Sequence, residues 1–336
     1  MAIDQSAKIG IVVIGRNEGE RLARCFDTLP AGIPVVYVDS DSTDGSVGLA
    51  KSAGYDVVYL SAAKPLSAGR ARNAGLEYLT DKWPDLTYVQ FLDGDCELFV
   101  DWLTLAQAVL DERPGVVAVC GQRHEKYPHA TVYNELCAIE WNTPIGEALA
   151  VGGDSMMRIQ PVSDAGGFDD SFVGGEEPEL CYRLRQDGWK VLRIDAAMTV
   201  HDAAMDRWQQ WWSRAARSGG AYAQSALKHG RGPEKFGVRE SVSIWIYAAV
   251  LPLIAVALAP FTWRLSIVVL LCGYLWQWYR IGRKAEQSHG LSREMANNYA
   301  ASIVLGKFPH LVGQIRFFLT RKNLIVEKDE PRHYLG

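Results

Sequence analysis

The triplet Asp93-Gly94-Asp95 is the first feature of the sequence with the chemistry of an active site. It follows an apolar run, residues 88–92, that has the length and composition of a buried strand. Two carboxylates at a strand end can share a hard divalent cation such as Mg²⁺ or Mn²⁺, and the intervening glycine lets the backbone turn tightly. Because Asp-Gly-Asp is also common in ordinary turns, it is the position at a strand end that favours a metal site.

A second acidic cluster, Glu176-Glu177-Pro178-Glu179, begins a predicted helix. Proline at the first helical position loses no hydrogen bond, and acidic side chains interact favourably with a helix N-terminus, so helix formation alone explains this composition. It does not explain the preceding Gly174-Gly175, which is expected to expose the first two carboxylates in a mobile turn.

Histidine and arginine side chains supply further candidates. His201 ends a predicted strand. A lone histidine is more often a core group than a ligand, but a carboxylate metal site elsewhere makes His201 a reasonable third ligand. Arg70 and Arg72 open a helix, where guanidinium and backbone N–H groups suit a diphosphate or a base edge. A charged helix face is an equally simple explanation of the two arginines.

Apolar runs that alternate with helix-like segments must position these side chains. Strand-like runs lie at residues 9–14, 35–38, 57–60, 88–92, 116–120 and 190–194. Helix-like segments lie at residues 20–29, 43–53, 67–79, 102–112 and 179–186. This alternation predicts a doubly wound, parallel α/β sheet, in which ligands bind at the carboxyl ends of the strands. Two of these ends are acidic, because the second run continues into Asp39 and the fourth into Asp93.

The sequence also argues against several other classes of protein. No GxGxxG follows the first strand and no GxxxxGK[ST] occurs, which argues against a dinucleotide oxidoreductase or a P-loop NTPase. The 35 Lys and Arg against 39 Asp and Glu give a net charge of −4, so no nucleic acid is expected as a partner. The six cysteines form no CxxC pair and are expected to be free thiols of a reducing compartment.

An uncharged stretch, residues 241–263, is long enough to span a bilayer as a helix. Arg264 separates it from 15 further uncharged residues, 265–279, which predicts a helical hairpin in the membrane. Basic residues flank both ends of the hairpin, so the positive-inside rule places both ends in the cytoplasm. The alternative is a buried hairpin of a soluble domain, although Pro252 and Pro260 within the stretch are better tolerated in membrane helices.

Five segments, in this order, resemble an inverting family 2 glycosyltransferase with a GT-A fold. They are IGIVVIGRNEGERLARCFDTL, VDSDSTDGS, SAGRARNAGLEY, FLDGDCEL and GGDSMMR…GGFDDSFVGGEEPELCYRLRQDGW. The likeness covers residues 8 to about 220. It implies metal-dependent transfer of a sugar from a nucleotide-sugar, with a UDP-sugar as the first donor to expect.

The resemblance places the family's donor-binding positions on seven residues: Arg16, Glu18, Asp39, Arg72, Asp93, Asp95 and His201. The first three would bind the base and ribose of the nucleotide-sugar, and Arg72 would contact the nucleotide. Asp93 and Asp95 would hold the ribose and the divalent metal on the diphosphate, Mg²⁺ or Mn²⁺, with His201 as a further metal ligand.

The resemblance also assigns the acceptor side. Glu177 stands where the family usually has the aspartate of a Glu-Asp pair, and would be the general base that deprotonates the acceptor hydroxyl. Glutamate in place of aspartate leaves the choice between Glu176 and Glu177 open. Gly153 and Asp154 lie where the acceptor approaches. The QxxRW signature of processive members does not occur, which favours transfer of one sugar over polymer synthesis.

These features together predict three regions: a GT-A domain over residues 1–230, a membrane hairpin over residues 241–280 and a basic amphipathic region over residues 281–336. Such a chain would act on the cytoplasmic face of the inner membrane, on a lipid or polyprenyl-diphosphate-linked acceptor of polysaccharide or glycolipid biosynthesis. It could form oligomers. A catalytically inactive GT-A scaffold is an alternative, which the intact acidic residues argue against. A nucleotidyltransferase is another, for which the loop after the first strand is a poor match.

Overall fold

The apolar runs form a nine-stranded sheet in the computed structural model, which describes residues 9–320. Its strands are β1 (Ile9–Gly15), β2 (Val35–Asp39), β3 (Asp56–Tyr59), β4 (Tyr88–Asp93), β5 (Cys96–Leu98), β6 (Val116–Glu125), β7 (Gly146–Ala148), β8 (Ser155–Arg158) and β9 (Lys190–His201). Their order is β3-β2-β1-β4-β8-β6-β9-β5, and β7 pairs with β9.

The sheet is mixed rather than wholly parallel. β1 to β4 are parallel neighbours, as the alternation of strands and helices predicts, and β6 pairs in parallel with β9. By contrast, β5, β7 and β8 pair antiparallel to their neighbours. These three strands have three or four residues each, which is too short to appear in the sequence as an apolar run. The sequence pattern therefore identifies the long parallel strands but not the short antiparallel ones.

Seven helices accompany the strands: α1 (Glu20–Asp27), α2 (Ser46–Ser52), α3 (Ala68–Lys82), α4 (Trp102–Glu112), α5 (Val132–Trp141), α6 (Ile159–Asp164) and α7 (Glu176–Gln186). Helix α1 illustrates why they form, because Leu22, Cys25 and Phe26 recur at helical spacing and are all buried. Helix α7 begins at Glu176, two residues before the proline that was expected to open it.

The described chain divides into two compact units. One comprises the described residues up to Tyr127 together with Trp141–Ala203, and it contains the whole sheet. The other comprises Pro128–Glu140 and the described chain from Ala204 onward. The predicted domain limit at residue 230 does not coincide with this division, because the second unit begins 26 residues earlier, at Ala204, and includes a segment taken from the middle of the first.

The second unit is helical. Its further helices are α8 (Trp208–His229), α9 (Val238–Trp245), α10 (Leu251–Leu258), α11 (Leu265–His289), α12 (Arg293–Leu305) and α13 (Lys307–Thr320). Helices α8 and α13 approach so closely that a Cβ atom on Gly313 would lie 1.8 Å from the carbonyl oxygen of Ala216. The segment 128–140 is bound within this unit, because Thr131 Oγ1 donates to the carbonyl of Met205 at 2.7 Å and Glu140 pairs with Arg214 at 2.5 Å.

Most of the uncharged stretch lies in one helix from Val238 to Leu258, in which a π-helical turn, Ile246–Val250, joins α9 to α10, and residues 259–263 form the turn that follows. This turn directly precedes Leu251 and Pro252, and a proline that removes a backbone donor is a recognised cause of such irregularity. Within residues 9–320 it is the one helix long and apolar enough to cross a membrane, and 17 % of its apolar window is buried.

The predicted second arm is helix α11, which runs antiparallel to the first. Ser266 Oγ donates to the carbonyl of Ala255 at 2.7 Å, and Tyr274 donates to the carbonyl of Tyr247. The basic amphipathic region predicted over residues 281–336 is described only in part, because two of its basic residues, Arg321 and Lys322, lie outside the described residues. Lys307, another basic residue of that region, donates to Ser243 Oγ at 3.1 Å.

Candidate active site

The register of the parallel strands brings the acidic strand ends together. Gly15, the last residue of β1, pairs with Asp39 of β2 on one side, and the preceding Ile14 pairs with Asp93 of β4 on the other. The two aspartates therefore flank the carboxyl end of β1, which is where ligands bind in sheets of this kind. Residues that are 54 positions apart in the sequence reach the same edge because β1 lies between their strands.

Asp39 is buried and holds the turn that follows β2. Its carboxylate accepts hydrogen bonds from Tyr37 Oη at 3.1 Å and from the backbone N–H of Ser42 at 2.8 Å. The same turn is tied to the β1–α1 loop, because Asn17 Oδ1 accepts from the N–H of Thr43 at 2.7 Å. The two loops at this end of the sheet therefore form one hydrogen-bonded rim.

Arg16 and Glu18 lie on this rim in different environments. Arg16 is exposed, and its backbone N–H donates to Glu18 Oε1 at 3.4 Å. Glu18 is partly buried and pairs with Arg21 at 2.7 Å. Burial and the charge of Asp95 raise the pKa of Glu18 above its usual range. Glu18 is therefore next to the Asp-Gly-Asp triplet, whereas Arg16 faces solvent.

Arg72 is the centre of the site. Its side chain is 2 % exposed and donates to Asp93 Oδ1 at 2.9 Å through Nη2. Through Nη1 it pairs with Glu176 at 3.2 Å and with Glu177 at 3.0 Å. Burial works against its charge, but these three carboxylates raise the pKa of Arg72 above its ordinary value, so it stays ionised. The predicted donor-binding and base segments therefore meet at one buried guanidinium.

A second arginine, Arg123, approaches Asp93 from β6. Its Nη2 lies 3.0 Å from Asp93 Oδ2, and its Nε lies 3.1 Å from Asp154 Oδ2. The guanidinium also stacks over the Trp141 ring, 5.0 Å from its centroid. Burial alone would raise the pKa of Asp93, but Arg72 and Arg123 outweigh it and lower that pKa.

Asp95 and His201 form the second pair of the site. His201 Nε2 lies 3.3 Å from Asp95 Oδ2, and β5 and β9 bring the two residues together by pairing Cys96 with His201. Burial disfavours the charge on Asp95, but the hydrogen bond and charge of His201 lower its pKa to about 2. Burial likewise lowers the pKa of His201, and its carboxylate neighbours Asp95 and Glu125 more than offset this and raise it.

In the described part of the chain, two sets of side chains are close enough to share a cation. The ligand atoms of Asp95, Cys96 and His201 lie within 4.8 Å of one another, and so do those of Asp93, Cys96 and Asp154. In the second set both aspartates already bind arginine side chains. The thiol of Cys96 is buried and its pKa is raised well above the usual range, which makes it a poor ligand. Asp95 and His201 are therefore the residues that fit a hard divalent cation best.

Glu176 and Glu177 are not exposed in a turn, contrary to the expectation drawn from the two glycines. Glu176 is 5 % exposed, and its buried Oε2 has no hydrogen-bond partner among residues 9–320. The side chain of Glu177 is 15 % exposed. Burial and the neighbouring Glu176 raise the pKa of Glu177 to about 7, although Arg72 opposes this. The prediction of exposure failed because the paired carboxylates turn inward to Arg72.

Gly153 and Asp154 are buried next to Asp93 and do not lie at an open surface. Asp154 is 1 % exposed and accepts from the backbone N–H of Asp93 at 3.0 Å and from Thr199 Oγ1 at 2.8 Å. This position gives an acceptor no access to Asp154. A Cβ atom on Gly153 would lie 2.5 Å from Asp93 Oδ2 and 2.6 Å from Arg72 Nη2. Glycine therefore leaves the space in which the Arg72–Asp93 pair forms.

Three residues of the site, Arg123, Glu125 and Trp141, were not predicted from the sequence. The apolar pattern predicts β6 only to residue 120, whereas the strand continues to Glu125 and carries its polar residues into the site. The signal available in the sequence was the polar run QRHEK at residues 122–126, one residue beyond the end of the apolar run. Trp141 ends a helix with no distinctive motif, and only the fold brings it to Arg123 and His201.

Residues 10–150 match the family model described as Glycosyl transferase family 2. The chain is 26 % identical over 236 residues to a pre-mycofactocin glycosyltransferase of Mycobacterium tuberculosis, covering 66 % of this chain and 48 % of the relative. It is 25 % identical over 213 residues to the succinoglycan biosynthesis protein ExoA of Rhizobium meliloti, covering 57 % of this chain and 62 % of the relative. The chain thus spans about half the length of the first relative and less than two thirds of the second.

A solved structure shares the fold over most of the chain. It is the mannosyltransferase PcManGT from Pyrobaculum calidifontis in complex with GDP-Man and Mn²⁺, with a TM-score of 0.58 and 17 % sequence identity. The match covers 94 % of this chain and 89 % of that one. The mixed sheet described above is therefore of the GT-A type.

Proposed function

Residues 10–150 form a glycosyltransferase family 2 domain, and from this premise we propose that the protein transfers one sugar from a nucleotide-sugar to an acceptor hydroxyl, with inversion. One observation carries the proposal. Arg72 joins Asp93 on the donor side to Glu177 on the acceptor side through a single buried guanidinium. The groups needed to bind a diphosphate and to accept a proton thus lie within one network.

The donor binds at the carboxyl ends of β1, β2 and β4 in this proposal. The hydrogen-bonded rim around Asp39, with Arg16 and Glu18, faces the base and ribose, and Asp93 with Arg72 faces the rest of the nucleotide. PcManGT binds GDP-Man and Mn²⁺, which supports a nucleotide-sugar and a divalent cation as ligands. A UDP-sugar remains the first donor to test.

Asp95 and His201 would hold the divalent cation, Mg²⁺ or Mn²⁺. The low pKa of Asp95 keeps its carboxylate ionised, and the imidazole offers a nitrogen at the same place. When bound, the cation stabilises the negative charge that develops on the departing diphosphate. Asp93, whose two oxygens bind Arg72 and Arg123, positions those arginines and is less available as a ligand.

Glu177 is the general base of the proposed reaction. Its pKa of about 7 lets it be ionised at neutral pH while it remains basic enough to take the acceptor proton. The proton moves from the acceptor hydroxyl to a Glu177 carboxylate oxygen as the new glycosidic bond forms and the bond to the nucleotide breaks. A single displacement of this kind inverts the anomeric centre. Glu176, bound to the same guanidinium, helps to raise the basicity of Glu177.

The acceptor is proposed to be a lipid or a polyprenyl-diphosphate-linked saccharide. The name of the relative ExoA supports a role in polysaccharide biosynthesis, and the apolar helix Val238–Leu258 supports action at a membrane. Basic residues at both ends of the hairpin favour the cytoplasmic face of the inner membrane. Gly153 and Asp154 contribute to the acceptor side by shaping the Arg72–Asp93 pair rather than by touching the acceptor.

The proposal is tested with the detergent-purified full chain and a panel of UDP-, GDP- and dTDP-sugars, each with and without Mn²⁺ or Mg²⁺. We expect one donor class to raise the unfolding temperature only when the metal is present, and to be hydrolysed slowly without an acceptor. Asp95→Asn, which keeps the size of the side chain, should lose the metal dependence. Donor binding without hydrolysis or transfer would favour the inactive scaffold. No stabilisation by any donor would overturn the proposal.

A further inference from the structure

Glu125 is a buried carboxylate that the proposed reaction does not use. It is the last residue of β6, and the parallel pairing with β9 sets it opposite His201. Its side chain is 0 % exposed. A carboxylate removed from water in this way needs charged or polar partners nearby. Its position beside a proposed metal ligand makes the identity of those partners informative.

The His201 imidazole lies between two carboxylates, one at each nitrogen. Nε2 faces Asp95 Oδ2 at 3.3 Å, and Nδ1 faces Glu125 Oε2 at 3.6 Å. Nδ1 is buried and has no partner within hydrogen-bond distance in the described part of the chain, so Glu125 is the acceptor toward which it points. The Trp141 ring packs edge-on against the imidazole, with 4.6 Å between centroids, and limits its rotation.

Backbone N–H groups fix the Glu125 carboxylate where it stands. The N–H of Tyr127 donates to Oε1 and the N–H of Ala203 donates to Oε2, both at 3.3 Å. Ala203 is two residues beyond His201, so one of these bonds ties the carboxylate to the strand that carries the histidine. The carboxylate is therefore held at the Nδ1 edge by two separate segments of backbone.

A neutral histidine can bind a cation through Nε2 only when the proton is on Nδ1. A carboxylate at the Nδ1 edge selects this tautomer, orients the ring and increases the basicity of Nε2. Asp95 and Glu125 thus have different tasks, because Asp95 lies on the side of the ring where the cation would bind and Glu125 lies on the opposite side.

We propose that Glu125 is a positioning residue that accepts the Nδ1 proton of His201 in a hydrogen bond and so presents Nε2, beside Asp95, to a divalent cation. The inference rests on the metal site of the proposed function. It predicts that Glu125 affects metal affinity without touching the metal, and that it does so only through His201.

The test is calorimetric titration of Mn²⁺ alone into the detergent-purified full chain. Glu125→Gln keeps the shape and one carbonyl oxygen but removes the charge, and it should weaken Mn²⁺ binding about 10–100-fold. Glu97→Gln is the matched control, because it removes the same charge from β5, where Glu97 pairs with Arg24 and Lys126 rather than with His201. The Glu97→Gln variant should bind Mn²⁺ with an affinity within about twofold of that of the natural chain, a much smaller change than the one expected for Glu125→Gln.

A double-mutant cycle decides whether Glu125 acts through His201. In a His201→Gln background, the further change Glu125→Gln should have no additional effect on Mn²⁺ affinity. An equal loss in both backgrounds, or an unchanged affinity in Glu125→Gln alone, would overturn the inference while the metal site stands. Absence of Mn²⁺ binding by the natural chain would overturn the metal site as well. If Glu125→Gln does not fold, Glu125→Asp keeps the charge with a shorter reach and should lose part of the affinity.

Discussion

Replacing Glu177 by glutamine is the sharpest test of the proposed chemistry, because it removes the base and keeps its size. We expect turnover to fall about 10²–10⁴-fold, the usual contribution of a general base. Donor affinity, measured by thermal stabilisation with the nucleotide-sugar and Mn²⁺, should change little, because other residues hold the nucleotide. Glu176→Gln is the matched control and should lose less. The opposite ranking would assign the base to Glu176, and unchanged turnover in both variants would refute the assignment of a base to this segment.

The raised pKa of Glu177 predicts how the rate depends on pH. With a pKa of about 7 the carboxylate is about one-tenth ionised near pH 6 and about nine-tenths ionised near pH 8. The rate at low substrate concentration should therefore rise about tenfold over this interval. A glutamate at its ordinary pKa would be ionised at both values and would give a flat profile. The profile of Glu177→Gln should be flat as well, since the titrating group has been removed.

The same shift predicts that this variant is more stable as well as less active. The folded-state pKa of Glu177 lies above its ordinary value of 4.5, so the native state keeps a proton that the unfolded chain loses as pH rises between about 4.5 and about 7. The free energy of unfolding that this proton contributes below pH 4.5 is lost as the pH rises through about 7, and the loss is at most about 3–4 kcal/mol. Glu177→Gln should unfold at a higher temperature than the natural chain near pH 8 and at a similar one near pH 4. A destabilised variant would show that its lost activity reflects damage to the fold.

Three further predictions concern the metal, the glycine behind it and the membrane. Asp95→Ala should abolish transfer and remove the Mn²⁺ or Mg²⁺ dependence of nucleotide binding, and normal activity in excess chelator would contradict this. Gly153→Ala should lose activity and about 1–3 kcal/mol of stability, because its Cβ would overlap Asp93 and Arg72; Gly152→Ala, with no atom within 4 Å of the added Cβ, is the control in thermal unfolding. The chain should require detergent for extraction and resist a carbonate wash, and free solubility would mean that the helix Val238–Leu258 is a core element.

The sequence predicts those parts of the fold that follow from local pattern. The strands β1, β2, β4 and helix α4 lie within one residue of their predicted limits, because each is a continuous apolar or amphipathic run. The short β5, β7 and β8 were not predicted, since strands of three or four residues carry too few side chains to show a period. Their positions depend on long-range pairing, which a local pattern does not contain.

The candidate site shows the same division between local and long-range information. Motifs identified Arg72, Asp93, Asp95, Glu177 and His201, whose side chains meet at one end of the sheet. They could not reveal that Arg72 pairs with both Asp93 and Glu177. Glu177 is 105 residues away from Arg72 in the sequence. Nor could they show that Asp154 is buried, because its burial follows from a strand, β8, that the sequence did not predict.

The segment Pro128–Glu140 has a practical consequence for the production of the first unit, which contains the sheet, without the helical second unit. A gene shortened after codon 203 would still encode this segment but would lack Met205 and Arg214, which bind it. The recombinant product would display Thr131, Asn134 and Glu140 without those partners. During synthesis, the ribosome makes the segment about seventy residues before Met205 and Arg214. The segment therefore cannot form its contacts with them until they have been added to the nascent chain. A chimaera with a related protein should therefore replace two segments together, residues 128–140 and the chain from Ala204 onward. Replacing the C-terminal segment alone would separate residues 128–140 from the residues that bind them.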